Sequence, residues 1–424
     1  MEHSKLWVII HRWLQPIDRD AAFWWQSTGS AIANMLSQAG YDQSAQLNAL
    51  LFHFRYIINI LGPSPSPSSR VPSWRSFMTD DFSPLEYSWS WDGDRHPKIR
   101  YSVEAIGRYA GSSVDPFNRR ETCTVVEVLR QALPCTDWRL FEHFLEALYE
   151  NEGRCEVRHE TDERSSSSAS SLFLAFEFGE EDIAVKAYFM PVRSTLPAEN
   201  PFSVVARSIR DLLNSNLFSS TAAYLQLQDF VQTHHLGQAL ELVCVAIDCV
   251  DPSISRIKCY VRSPSTSFDN VCAIMTLGRT TSGAQMKPGL QKLKRLWQLS
   301  LGLQEGFSSS HELDLKLHQT AGVLYYFDIR PRNTSPEPKV YIPVRHYGHS
   351  DRDVLKGLEQ FLREEGLESR YIDGYRRLLE TLATHRTLDS GCGLQSYISA
   401  ALTEQSLSLT SYIAPELYHP RRWM

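Results

Sequence analysis

The stretch Ser255–Arg262 reads SRIKCYVR and alternates polar with apolar residues. On a β-strand, successive side chains point to opposite faces of the sheet. One face would therefore carry three cations and a phenol, which are Arg256, Lys258, Tyr260 and Arg262. A single strand of this kind is ordinarily solvated on its polar face. If that face looked into a closed interior, the cations would need an anionic partner, because burying an unpaired charge costs several kcal/mol.

The pattern recurs along the chain. A cation and a tyrosine two residues later occur three times, and single polar residues stand at comparable places in two further strands. These residues are Lys186 and Tyr188, Lys258 and Tyr260, Lys339 and Tyr341, with Arg100 and Tyr412. Their convergence predicts a site for a compact polyanion such as a diphosphate. The solvated face remains the alternative at this point.

The order of predicted elements indicates the architecture. Strand pairs and helices alternate about five times, with a period of roughly 70–90 residues. This order predicts an α+β protein with an antiparallel sheet of about ten strands and helices outside it. Because so many strands with open edges would invite aggregation, we expect the sheet to close into a barrel. We assign residues 1–20 to an N-terminal extension and residues 21–424 to a single domain.

One predicted helix, Asp42–Leu61, has a clear beginning and an apolar stripe. Asp42 is its expected N-cap. The residues of the expected buried stripe are Leu47, Leu50, Leu51, Phe54, Ile57, Ile58 and Leu61.

Composition narrows the class of protein. The 424 residues are 42% hydrophobic and 22% charged, with a formal net charge of -6, which is typical of a soluble globular protein without a basic nucleic-acid surface. No apolar run is long enough for a transmembrane helix, and the first fifteen residues do not resemble a signal peptide. The eight cysteines are scattered without a C-x-x-C pair, which predicts reduced, buried thiols and a cytoplasmic location.

Several phosphate-binding motifs are missing from the sequence. It contains neither a P-loop nor a G-x-G-x-x-G turn. Asp80-Asp81 continues as Phe82-Ser83-Pro84 and does not complete the D-D-x-x-D motif that holds magnesium against isoprenyl diphosphates. We therefore expect side-chain cations alone to hold the diphosphate, without a metal or other cofactor.

Seven segments together resemble the fungal aromatic prenyltransferases of the dimethylallyltryptophan synthase type. They occur in order along nearly the whole chain, from about Trp24 onward. They are Ser83–Ser88, Ile99–Glu104, Val185–Tyr188, Asp251–Tyr260, Met275–Gly278, Pro338–Pro343 and Ser411–Glu416. The family has the ABBA fold, a ten-stranded antiparallel barrel ringed by helices, which agrees with the number of predicted strands.

The resemblance implies a role for each motif residue. Five cations would bind the diphosphate of dimethylallyl or geranyl diphosphate, the implied co-substrate: Arg100, Lys186, Arg256, Lys258 and Lys339. Four phenols would cap it and shield the allylic cation: Tyr188, Tyr260, Tyr341 and Tyr412. Glu86 would accept a hydrogen bond from the N–H or O–H of the aromatic acceptor, with a surface carboxylate as the alternative. Arg262, at the end of its strand, is left out of this set and assigned to the rim.

One departure from the family bears on the acceptor. Members that prenylate tryptophan use a lysine, in the strand before Lys186, as the base that restores aromaticity. Here no lysine occurs between Lys98 and Lys186, and that strand reads SSLFLAF over Ser170–Phe176. This favours a hydroxylated polycyclic aromatic acceptor, as in the members that act on aromatic polyketides in secondary metabolism.

Other hypotheses remain open from the sequence. The acceptor could be an indole or a tryptophan derivative, and the barrel could bind an isoprenyl diphosphate without turning it over. The expected partners are small molecules, with no nucleic acid and no membrane. A monomer and a homodimer are both compatible with the sequence.

Overall fold

Ten antiparallel strands close into a barrel. The computed structural model describes residues 5–65, 72–91, 96–149, 170–191, 200–402 and 407–423. The strands are β1 (Leu85–Trp91), β2 (Lys98–Val103), β3 (Leu172–Phe178), β4 (Ile183–Phe189), β5 (Glu241–Asp248), β6 (Ile257–Ser263), β7 (Val323–Ile329), β8 (Glu337–Ile342), β9 (Gln395–Leu402) and β10 (Leu407–Ile413). Each strand pairs with its neighbours in sequence, and β10 pairs with β1 to close the sheet. The predicted barrel is confirmed.

Helices surround the barrel. They are α1 (Lys5–Trp13), α2 (Arg19–Trp24), α3 (Ser30–Ala39), α4 (Gln43–Phe52), α5 (Arg120–Ala132), α6 (Arg139–Tyr149), α7 (Pro201–Asn214), α8 (Ala222–Thr233), α9 (His235–Gln238), α10 (Phe268–Met275), α11 (Thr280–Leu301), α12 (Val344–Tyr347), α13 (Asp351–Glu364) and α14 (Ser369–Leu382). Several helices lie on the outer face of the sheet: α5 contacts β3, α6 contacts β4, α7 contacts β5 and α8 contacts β7.

The hydrophobic core lies between the barrel and this ring of helices. In β6, Ile257, Cys259 and Val261 face outward into it and are at most 1% exposed. The polar residues of the same strand consequently face the interior of the barrel, because neighbouring side chains point to opposite faces. The solvated alternative for this face was therefore wrong.

The N-terminal residues contact the core. Trp7 in α1 is buried, and its ring lies 4.7 Å from that of Trp25. The division at residue 20 thus stays a prediction about domain organisation, with α1 packed against the part that follows it. No helix in the described ranges is both long and apolar enough to span a membrane.

The cysteines match the prediction in part. The seven cysteines within the described residues are free thiols, and Cys155 lies outside those residues. Cys244, Cys249 and Cys259 are buried, whereas Cys135 is exposed, contrary to the expectation of buried thiols.

Candidate active site

The strand register arranges the interior of the barrel in layers. Lys186 lies opposite Asp248 on the neighbouring strand, and Lys258 lies opposite Asp328. One step further along the strands, Tyr260 lies opposite Tyr326. Because cross-strand partners point to the same face, charged residues form one layer and tyrosines form the next. Nine of the ten predicted site residues lie on strands and face this interior: Glu86, Arg100, Lys186, Tyr188, Lys258, Tyr260, Lys339, Tyr341 and Tyr412. The tenth, Arg256, immediately precedes β6 and joins them through ion pairs with Asp248 and Asp328.

One carboxylate, Glu177 on β3, holds the cations of the two neighbouring strands, β2 and β4. Lys186 Nζ lies 2.6 Å from Glu177 Oε2. Arg100 Nε lies 3.6 Å from the same carboxylate. Burial alone would raise the pKa of Glu177, but Arg100 and Lys186 lower it to about 2. Glu177 is therefore ionised at neutral pH.

A second group of ion pairs joins β5, β6 and β7. Lys258 Nζ and Arg256 Nε lie 2.7 and 2.5 Å from the Asp248 carboxylate. Arg256 Nη1 also lies 2.9 Å from Asp328 Oδ2. Burial opposes the charge of Asp248, but Lys258 and Arg256 hold its pKa below the usual range. Burial lowers the pKa of Lys258 to about 8, although Asp248 favours its charged form.

These carboxylates correct one expectation drawn from the sequence. Part of the anionic partner that the buried cations require is supplied by the protein itself, from Glu177, Asp248 and Asp328. The five predicted diphosphate-binding cations outnumber these three carboxylates, and Arg330 also contacts Asp328, at 3.3 Å. The excess is what remains available for an external anion.

Lys339 differs from the other four cations. Its Nζ contacts the Thr410 hydroxyl at 3.3 Å, and no carboxylate in the described ranges lies within 4 Å of it. The side chain is buried. Burial and the neighbouring charge of Arg100 lower the pKa of Lys339 well below its usual range. Lys339 is thus the cation that gains most from an added anion.

Six tyrosines cover the charged layer. The four predicted tyrosines are joined by Tyr326 and Tyr397, which the sequence reasoning missed. The hydroxyls of Tyr260 and Tyr412 each lie 3.3 Å from that of Tyr341. The Tyr260 ring lies 5.9 Å from the rings of Tyr188 and Tyr341. Such a ring of aromatic faces can stabilise a cation by cation–π interaction.

Glu86 lies beyond the tyrosines and faces the cavity. It is not the surface carboxylate that the sequence left open as an alternative. Ser396 Oγ donates to Glu86 Oε1 at 2.6 Å. Burial raises the pKa of Glu86 to about 7, against the opposing effects of Ser396 and Arg345. The carboxyl group therefore changes its charge close to neutral pH.

Two arginines not assigned to the site also line this end of the cavity. Arg345 lies 3.2 Å from Asp80 Oδ1 and donates to the Tyr397 hydroxyl at 3.2 Å. Arg262 donates to the backbone carbonyl of Thr320 at 2.7 Å. The assignment of Arg262 to the rim fits its place at this end of the barrel, but the side chain is 7% exposed and lines the cavity.

Phe173 occupies the strand in which tryptophan-prenylating members would carry a lysine. It lies opposite Tyr188, and the two rings stack at 4.4 Å with an angle of 10° between their planes. Val243, Cys244 and Leu324 add apolar surface to the same cavity. This end of the barrel thus presents flat and apolar walls around one carboxyl group.

A cluster of possible metal ligands lies beside the cavity. Ligand atoms of Asp80, His318 and His346 lie within 4.8 Å of one another. Arg345 contacts both Asp80, at 3.2 Å, and His346, at 3.3 Å. A fixed guanidinium charge in this position opposes the binding of a divalent cation. Sequence reasoning missed the cluster because its members come from distant segments.

Known proteins match the chain over most of its length. A family model described as tryptophan dimethylallyltransferase matches residues 20–377. The chain is 32% identical to prenyltransferase anuH of Penicillium roqueforti, over 99% of this chain and 94% of that protein. It is 30% identical to xanthone prenyltransferase B of Emericella nidulans, over 99% and 93% of the two chains. The chain belongs to the tryptophan dimethylallyltransferase family.

Solved structures agree in fold with this prenyltransferase. The structure of NotF with brevianamide F and DMSPP matches with a TM-score of 0.81 at 23% identity, covering 97% of this chain and 98% of that one. AnaPT from Neosartorya fischeri matches with a TM-score of 0.80 at 22% identity, with the same coverage. The predicted ABBA fold and the predicted transferase activity are confirmed, and the alternative of a non-catalytic binding barrel is set aside.

Proposed function

We propose that this prenyltransferase transfers a dimethylallyl or geranyl group from its diphosphate to a hydroxylated polycyclic aromatic acceptor of polyketide type, without a metal, in secondary metabolism. The observation that supports this acceptor class is the stacking of Phe173 on Tyr188, in the strand where the family lysine is missing. A flat aromatic acceptor with an ionisable hydroxyl fits these walls and can activate its own ring. The similarity to xanthone prenyltransferase B supports this class.

The charged layer performs the first step. When the allylic C–O bond breaks, both electrons go to the leaving diphosphate, whose negative charge grows. Lys186, Lys258 and Lys339 would stabilise this charge more strongly in the transition state than in the ground state. The three are at most 6% exposed, so their effect is weakly screened by water.

The tyrosine layer and Glu86 perform the second step. The tyrosine faces hold the allylic cation and exclude water, which would otherwise add to it. Glu86 accepts a hydrogen bond from the acceptor's hydroxyl and orients the ring for attack. The new C–C bond forms from a pair of ring electrons, which leaves a positive charge on the ring.

Incubation with both donors and a panel of acceptors tests the proposal. The panel contains dihydroxynaphthalenes, hydroxyanthraquinones and a hydroxyxanthone, with tryptophan and an indole dipeptide as the competing class. Mass spectrometry should show a five-carbon or ten-carbon unit added to the hydroxyarenes at higher kcat/KM than to the indoles. Faster prenylation of tryptophan or another indole would establish the alternative acceptor class.

Metal independence is tested with a chelator. Activity should survive EDTA, because side-chain cations take the place of magnesium at the diphosphate. The double variant His318→Gln, His346→Gln is assayed with and without EDTA, and a metal held by the cluster with Asp80 would make only the parent enzyme sensitive to the chelator. Loss of activity in EDTA that magnesium restores would contradict this part of the proposal.

We also keep the cytoplasmic location and the absence of nucleic-acid and membrane partners as predictions. A homodimer remains one candidate assembly. Light scattering of the purified protein measures the oligomeric state directly.

A further inference from the structure

The reaction leaves one proton to be removed. After ring attack, the alkylated ring carbon still carries its hydrogen, and aromaticity returns only when this proton leaves. This requirement rests on the proposed function and holds for any acceptor prenylated at carbon. Because the tyrosine layer excludes water, a protein group must take the proton and pass it out of the barrel.

The path needs a cavity-lining group that takes the proton and is also hydrogen-bonded to a group that reaches solvent. Phe173, which lines the cavity, lies in the strand that carries a lysine in tryptophan-prenylating members and has no group that takes a proton. Glu86 is already bound by Ser396 and would be engaged by the acceptor's hydroxyl. Thr320 offers a hydroxyl oxygen at the same end of the cavity, and the residue is 4% exposed.

The Thr320 hydroxyl lies between two histidines. Its Oγ1 is 2.7 Å from His318 Nδ1 and 2.8 Å from His346 Nε2. The backbone N–H of Thr320 donates to His318 Nδ1 at 3.2 Å, so this nitrogen is an acceptor. Arg345 Nε donates to His346 Nε2 at 3.3 Å, so this nitrogen is an acceptor as well.

This pattern determines how Thr320 is hydrogen-bonded. Its single hydroxyl proton points to one of two acceptor nitrogens, and neither histidine has a proton there to donate back. The lone pairs of Thr320 Oγ1 therefore remain available to a proton in the cavity.

His318 connects the hydroxyl with solvent. Its Nε2, on the far side of the ring from Thr320, lies 4.0 Å from Asp80 Oδ1. The side chains of His318 and Asp80 are 37% and 42% exposed. An imidazole that gains a proton at Nδ1 can release one from Nε2, so the ring bridges the buried hydroxyl and the surface.

We propose that Thr320 and His318 form the path by which the ring proton leaves the barrel. The ring C–H bond breaks, and its electron pair restores aromaticity. Thr320 Oγ1 takes this proton and gives its own hydroxyl proton to His318 Nδ1. The imidazolium then releases the Nε2 proton to water beside Asp80. Thr320 is the residue that touches the acceptor, and His318 and Asp80 act through it.

A kinetic isotope effect tests this path. The substrate is an acceptor from the panel above that is prenylated at carbon, used with and without ring deuterium at saturating concentration. In the parent enzyme, kcat should be nearly the same for both forms. In Thr320→Val, proton loss becomes slow, so kcat should fall at least about 10-fold, toward the usual contribution of a proton-transfer group. A clear normal isotope effect on kcat should then appear.

Matched variants separate the proton path from a purely structural role. Thr320→Ser retains the hydroxyl and should restore the rate and remove the isotope effect. His318→Gln should behave like Thr320→Val, with partial recovery on adding imidazole. His143→Gln, which changes a histidine bonded to the Ser208 carbonyl, is the control and should behave as the parent.

Three results would separate the proton path from its alternatives. Equal kcat for protiated and deuterated acceptor in Thr320→Val would overturn the proposal, whatever the loss of rate. If only indoles are prenylated, the proposed acceptor class fails while the path is tested unchanged with a ring-deuterated indole. Activation of the parent by zinc, with loss of the response in His318→Gln, would instead make the cluster a metal site and overturn the path.

Discussion

Lys258 represents the cations that share a carboxylate in the barrel. Its Nζ is 2.7 Å from Asp248, and Arg256 contacts the same group. The pair holds the ammonium in position before the donor binds, so little reorganisation is needed when charge develops on the leaving group. The ion pair with Asp248 therefore orients the Lys258 ammonium, whereas the cations in excess of the carboxylates attract the diphosphate.

Lys258→Ala should lower kcat by at least about 100-fold, the usual effect of losing one oriented electrostatic donor. Folding should be retained because Arg256 still neutralises Asp248. Steady-state kinetics together with circular dichroism check both statements. A kcat equal to that of the parent would remove Lys258 from the diphosphate site.

The acid limb of the pH profile should report Glu86. Its pKa of about 7 means that the carboxyl is protonated below neutral pH and loses its value as a hydrogen-bond acceptor there. The kcat/KM for the acceptor should fall about tenfold per pH unit below pH 7 and level off above it. In Glu86→Gln this limb should be absent, and kcat/KM should be lower than that of the parent above pH 7. An unchanged limb in that variant would assign the titration to another group.

The raised pKa of Glu86 also makes the free energy of unfolding depend on pH. The native protein keeps a proton on Glu86 between its ordinary pKa of 4.5 and about 7, while the unfolded chain loses it. Raising the pH through this window therefore lowers the free energy of unfolding. Urea denaturation of the parent and of Glu86→Gln at the two ends of the window measures this difference.

At the scale of elements, β6 was predictable and α4 was predictable only in part. The alternation of SRIKCYVR specifies which residues of β6 share a face. For α4, the predicted N-cap is confirmed, since Asp42 Oδ1 accepts from Ala45 N at 2.8 Å. The predicted buried stripe was wrong at Leu47 and Leu51, which are 36% and 41% exposed.

Packing explains the error in α4. Ala45 and Ala49 lie on the face that packs inward and are at most 3% exposed. Small side chains allow this helix to lie close to its neighbours, and the larger leucines flank the contact. The helix also continues as a π-helical turn over His53–Ile57, which shifts the phase of the residues after it.

The crossing of α11 and α13 depends on one glycine. A Cβ at Gly357 would lie 2.0 Å from the Leu299 carbonyl oxygen. Gly357→Ala should lower the free energy of unfolding, because overpacking costs about 1–3 kcal/mol. The gain from replacing glycine in a helix is only about 0.5–1 kcal/mol. Chemical denaturation measures the balance.

Gly374→Ala in α14 introduces a milder clash and is compared with Gly357→Ala. Its Cβ would meet the Gln38 carbonyl oxygen at 2.8 Å, a less severe contact. The loss of stability should therefore be smaller than for Gly357→Ala. Equal or greater stability of Gly357→Ala relative to the parent would show that α11 and α13 separate at no cost.

At the scale of the whole molecule, closure of the barrel creates both the site and a cost in stability. Pairing of β1 with β10 brings Glu86 and Tyr412, from opposite ends of the chain, into one cavity. The same closure buries Lys339 without a carboxylate within reach in the described ranges. Burial of Lys339 in this way lowers the stability of the ligand-free protein and provides a binding site for an anion.

Lys339→Met should raise the free energy of unfolding of the ligand-free protein by about 1–3 kcal/mol, because it removes a buried amino group that has no carboxylate partner. Inorganic diphosphate should stabilise the parent, by about 2.7 kcal/mol at a concentration 100 times Kd, and should stabilise Lys339→Met less at the same concentration. Thermal and urea denaturation with and without diphosphate measure both effects. Lys258→Met is the control: Asp248 keeps Arg256 as a partner, so the protein should still fold, but loss of one ion pair means that it should not gain stability.

The sequence alone determined the alternation of the strands, the repeated cation and tyrosine, and hence the barrel and its charged lining. These features are local, since a period of two follows from the geometry of the extended backbone. Only the tertiary structure decided that the polar face is enclosed and that Glu177, Asp248 and Asp328 neutralise part of its charge. It alone also placed Thr320 between His318 and His346. Contacts of this kind depend on strand register and loop placement, which arise when distant segments pack together and leave no spacing pattern in the sequence.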